Sequence, residues 1–152
     1  MRYLLLLFVA IPTVIFMTAC PSPHGNPVPD SKVNVTINGN NWTANNVQAS
    51  EYTNNFGRTF YIRASNVSDK WLSINFFGLT SPGSYPVTYV NNGPTGSGFV
   101  MATYYSANGE DPADTGLVTV TNVTSTSVAG SVSFVTKAGV NITNGTFSVS
   151  HQ

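Results

Sequence analysis

Side chains that could do chemistry are sparse in this sequence, so their positions carry weight. There is one cysteine, Cys20, and there are two histidines, His24 and His151. A nucleophilic triad needs a histidine held by two neighbours in a rigid frame. His24 lies in a proline-rich stretch and His151 is the penultimate residue, so neither is expected in a preorganised site. One thiol and two distant imidazoles supply no zinc-type spacing. Glu51 and Asp69 could form a glycosidase-type carboxylate pair, but they fall in different strand or turn regions with nothing to bring them together. The stretch from Asn108 to Gly116 holds Glu110, Asp111 and Asp114, three carboxylates that could offer hard oxygens to calcium. Its spacing differs from the twelve-residue loop of helical calcium sensors. Asp and Gly are also ordinary turn residues, so a solvated loop is expected, with no metal and no cofactor. No catalytic residue is assigned, and the chain is not expected to be an enzyme.

Six basic and six acidic residues leave a formal net charge of zero, and only 8% of the chain is charged. Phosphate neutralisation needs a basic stripe, so nucleic acid is excluded as a partner. A hydrophobic fraction of 41% with 12% aromatics is too high for a disordered polar chain. Val, Thr, Tyr and Phe are common past the N-terminus while Ala, Leu, Glu and Lys are scarce, which favours strands.

The N-terminus reads as a targeting signal. Arg2 precedes an apolar run from Leu4 to Met17 that Pro12 interrupts. The run is short of the ~20 residues that a spanning helix requires. Met17-Thr18-Ala19-Cys20 then resembles the lipobox of bacterial lipoproteins, with small residues before the only cysteine. The resemblance implies diacylglyceryl transfer to the Cys20 sulfur, cleavage after residue 19 and acylation of the new N-terminus. Two or more acyl chains anchor a protein stably. Residues 20–30 contain Pro21, Pro23, Pro27 and Pro29 and read as an extended tether. Pro21, rather than Asp, after the cysteine implies the outer membrane by the family's sorting rule. The expected address is the bacterial cell envelope, with the membrane as a partner through the lipid anchor.

Residues 31–152 suit one domain. Turn signals recur every eight to twelve residues, as in an antiparallel β-sandwich or barrel of about eight to ten strands. Val33, Val35 and Ile37 alternate with polar residues up to Asn38-Gly39, a strong hairpin signal that pairs Ile37 with Asn40 and Val35 with Trp42. After Ala44 the apolar parity shifts to Val47 and Ala49, which predicts a bulge at Asn45-Asn46. Phe60, Ile62 and Ala64, then Leu72, Ile74 and Phe76, are predicted inward. A short strand is expected over 87–90, ending at Asn91-Asn92-Gly93-Pro94. The run from Phe99 to Tyr105 is apolar on both faces and suits a central strand. The C-terminal third reads as a meander with Val118 and Val120, then Val128, Val132 and Phe134, inward. A second parity flip falls at Asn144-Gly145. A bulge there is preferred to a tight hairpin because it keeps one long strand ending in Phe147 and Val149.

These features together resemble small all-β lipoproteins of Gram-negative bacteria. The resemblance rests on the lipobox, the Pro-rich tether, Ile37-Asn38-Gly39 followed by Trp42, and the C-terminal Gly130–Phe134 and Ile142–Val149 pair. It covers most of the predicted domain and implies its fold and address. That family has no established activity, so it lends no catalytic residue.

Exposed aromatics are the positive hint of binding. Tyr61, Trp71 and Phe77 fall opposite the inward stripes, and Tyr104-Tyr105 put a ring on each face. Such rings among amides and hydroxyls suit neutral sugars. Trp71, Tyr61 and Tyr104 are therefore the candidate ligand contacts, with Trp71 and Tyr61 lining one mouth if their strands form a tight hairpin. The expected function is a non-enzymatic envelope lipoprotein binding a neutral glycan or other neutral ligand. The alternative is an assembly lipoprotein that pairs with an envelope protein through a sheet edge.

Overall fold

The computed structural model describes residues 31–66, 69–89 and 97–151. Cys20, His24, the tether, Ser68 and the turn at 91–94 lie outside the described residues. Ten strands form a single curled sheet, a half-barrel rather than two stacked sheets. They are β1 (Lys32–Ile37), β2 (Asn40–Thr43), β3 (Asn46–Asn54), β4 (Gly57–Ser65), β5 (Trp71–Phe77), β6 (Gly83–Thr88), β7 (Phe99–Ser106), β8 (Gly109–Val123), β9 (Ser127–Thr136) and β10 (Asn141–Ser150). Their order is β2-β1-β10-β9-β8-β6-β7-β5-β4-β3, with β8 also pairing β7. All pairings are antiparallel except the β6–β7 contact at Val87 and Val100.

Local chemistry explains most of the turns. Asn38 (φ 47°) and Gly39 (φ 81°) both take the positive φ of a tight hairpin, and Val35 pairs with Trp42 as the spacing predicts. At the other bulge signal, the β9–β10 register shifts between Ile142 and Gly145 while β10 continues unbroken. Asn144 takes φ 49° there.

The shift after Ala44 is a larger event than a bulge. β2 and β3 stand at opposite edges of the sheet, yet only Ala44 and Asn45 separate them. Three Cα steps reach at most ~11 Å, so the edges must curl together at this point. The Ala44 N–H donates to Val33 O (3.0 Å) on one edge, and the Asn45 N–H donates to Ser65 O (2.9 Å) on the other. Successive peptides thus tie the two edges of the sheet.

The concave face carries the core. Trp42, Phe60, Ile62, Ile74, Phe76, Val132, Phe134 and Phe147 are all buried. Phe77, expected outward, is also buried, because Phe56 packs edge-on against it and Phe99 stacks on it at 5.0 Å. Two element boundaries differ from expectation. The predicted loop 108–114 is mostly strand, since β8 begins at Gly109 and Thr103 pairs with Pro112. The short strand predicted over 87–90 runs instead from Gly83 to Thr88, where β8 supplies a full ladder from Gly83↔Val120 to Thr88↔Thr115.

Candidate functional site

The ends of the half-barrel differ. Ile37, Ser65, Trp71, Ser106 and Asn141 mark one end, and Lys32, Asn54, Phe77, Val123 and Ser150 the other. The chain enters β1 at the Lys32 end. A cavity of about 500 Å³ opens at the opposite end, lined by residues that include Trp42, Tyr104, Asn38, Asn41, Asn108 and Lys70. Turns and strand ends assemble it. The β1–β2 hairpin contributes Asn38 and Asn41. The two-residue turn between β7 and β8 contributes Asn108, and Lys70 precedes β5.

Trp42 and Tyr104 are 7% and 6% exposed. The indole Nε1–H of Trp42 is buried and has no acceptor among the described residues. A buried donor without a partner is costly. Burial pushes the Tyr104 phenol above its ordinary value, so the group stays neutral and can donate or accept. Among the described residues of the lining Lys70 is the one that is charged, and the amides supply both donors and acceptors.

The sequence-derived contacts are redistributed. Tyr104 is not an exposed ring. It pairs with Leu72 and shares its inward face, so it belongs to the core and reaches the cavity from inside. Trp71 lies on the outer face and is partly covered. Tyr105 stacks on it at 3.9 Å, and the Arg63 guanidinium carbon sits 4.6 Å from its centroid. β7 and β4 flank β5, so these neighbours close over the ring from opposite sides. Tyr61 shares that face but pairs with Asn75, while Trp71 pairs with Ser65. Four residues separate the two positions, ~13 Å along the strands, so they do not line one mouth.

His151 also departs from expectation. Its backbone N–H donates to Thr126 O (3.0 Å), its ring packs edge-on to Phe60, and its Nε2 lies 3.1 Å from Glu51 Oε2. Arg58 Nη2 donates to the same carboxylate oxygen at 2.6 Å and to Thr124 O at 2.8 Å. The hydrogen bond from Arg58 holds the Glu51 carboxyl below its usual range. This cluster straps β3 and β4 to the β8–β9 turn and the chain end. It lies at the Lys32 end, away from the cavity.

The carboxylates of 110–114 do not converge. Glu110 accepts from the Tyr105 hydroxyl (3.1 Å) and Asp111 from the Ala138 N–H (3.1 Å), and strand alternation sends the two to opposite faces. Among the described residues, no group of three or more His, Cys, Asp or Glu side chains could hold a metal ion.

Sequence reading placed Trp42 in the core and overlooked Asn38, Asn41, Asn108 and Lys70. Tyr104 was named as a contact from the sequence, but its inward face is set by the pairing of β7 with β5 through Leu72. The meeting of residues 37–42 with 104–108 depends on the curl of the sheet, because β1 and β2 lie several strands away from β7 in its order. The chain matches no known protein family, no curated protein and no solved structure.

Proposed function

We propose that this chain is a non-enzymatic lipoprotein of the bacterial envelope, anchored through Cys20 in the outer membrane, that binds a largely neutral glycan. The cavity carries this reading. It brings two aromatic rings and several amides to the Ile37 end of the half-barrel, opposite the Lys32 end. Ring faces and a few directed hydrogen bonds suffice to orient an uncharged polyhydroxylated ligand.

The test is a titration of the full chain, purified in detergent with its own leader, against neutral polysaccharides and peptidoglycan fragments, followed by tryptophan fluorescence. Asn108→Ala and Tyr104→Phe should each weaken binding by up to about tenfold, the loss of one hydrogen bond. Trp71→Phe should leave affinity unchanged. No response from any glycan would sink this reading. It would favour the second one, in which an envelope protein adds a strand to β3, a nine-residue edge with Tyr52 44% exposed.

A further inference from the structure

A second cavity, of about 360 Å³, adjoins the first. It is lined by Asn34, Val35, Thr36, Thr43 and Asn144 together with Asn41 and Trp42. Asn41 and Trp42 line both cavities, so β2 is the divide between them. β2 is also an edge of the sheet, pairing with β1 alone. In the hairpin ladder Asn40, Trp42 and Ala44 turn their peptide groups toward β1, as the Ala44 N–H to Val33 O bond shows. Alternation then directs the N–H and C=O of Asn41 and Thr43 to the free edge. The strip between the cavities thus offers outward peptide groups, the Asn41 amide and the Trp42 ring.

Each cavity falls within the ~300–1,000 Å³ usual for a small-ligand site. Among the described residues, those lining the second are all uncharged, and those lining the first include one lysine. From Asn40 to Thr43 the strip runs ~10 Å, longer than a single sugar ring. We infer that the ligand is an oligosaccharide of at least two units that runs along the β2 edge and occupies both cavities, with Trp42 and Asn41 at the linkage. This deepens the glycan reading and rests on it.

The experiment is calorimetric titration of the full chain with neutral gluco- and galacto-oligosaccharides of one to six units. Affinity should rise roughly tenfold or more between the monosaccharide and the first unit count that fills both cavities, then level off. Asn34→Ala and Asn144→Gly alter only the second cavity, and Gly suits the positive φ at position 144. Both should weaken the long oligomers while leaving the monosaccharide unaffected. A monosaccharide that binds as tightly as the hexamer overturns the two-cavity inference alone, as do variants that weaken every length equally. Binding by no saccharide of any length overturns the glycan reading itself.

Discussion

Phe134 is 2% exposed and its Cβ and Cα lie where a side chain on Gly116 would have to go, so the two residues pack backbone to ring base. Phe134→Ala should cost ~3–5 kcal/mol in urea denaturation, through lost transfer energy and an unfilled void. Glu51 acts differently, since its contribution depends on charge. Its folded-state pKa is lowered, chiefly by the hydrogen bond from Arg58. The carboxylate therefore stabilises the fold above its unfolded value, ~4.3, and that contribution is lost as pH falls through the lower folded value. Thermal melts from pH 7 to pH 3 should show Glu51→Gln less stable than wild type at neutral pH, with the gap closing in acid. A gap that is constant across this range would show that the strap is held by packing, not by charge.

At the scale of elements, tight strand contacts replace large side chains where the sheet bends. A methyl group on Gly130 would press against the Thr119 carbonyl oxygen of β8 and the Phe147 ring of β10. Gly130→Ala should cost ~1–3 kcal/mol by overpacking, read as a fall in melting temperature. Gly39 stands in open space at φ 81°, so Gly39→Ala meets only backbone strain of ~1–2 kcal/mol. A double variant should lose the sum of the two, because the sites share no partner. The same strands show what local pattern can miss. The acidic stretch at 110–114 looked like a loop because Asp, Pro and Gly are turn formers. β7 and β9 nonetheless pair with it, and the Pro112 carbonyl still accepts from the Lys137 N–H at 2.9 Å.

At the scale of the whole molecule, β1 is ~20 Å long and runs from Lys32 at one end of the half-barrel to Ile37 in the lining of the cavity. Cys20→Ser removes the thiol that would take the lipid. That variant should accumulate as unprocessed precursor or as soluble protein when cells are fractionated. Normal processing with unchanged membrane partition would refute the lipoprotein reading. Refolding should be slowed by the pairings that join strands far apart in sequence, β1 with β10, β5 with β7 and β6 with β8, whereas most of the other pairings join consecutive strands.

What the sequence determined by itself is what short-range physics encodes. Alternation with period two put Phe60, Ile62, Ile74, Val132 and Phe134 inward, since neighbouring side chains on a strand must face opposite ways. Asn38-Gly39 and Asn144-Gly145 announced a hairpin and a bulge through their tolerance of positive φ. The outward position of Trp71 was legible for the same reason, though not its coverage by Tyr105 and Arg63, which come from neighbouring strands. Only the tertiary structure decided that β2 and β3 close the sheet from opposite edges, that β6 lies between β7 and β8, and that Tyr104 turns inward beside Trp42. Those outcomes depend on which strands pair after long loops close, and no local pattern records the partner. The cavity is made of such outcomes, with Asn38, Asn41, Trp42, Lys70, Tyr104 and Asn108 drawn from turns and strand ends that only the curl of the sheet brings together.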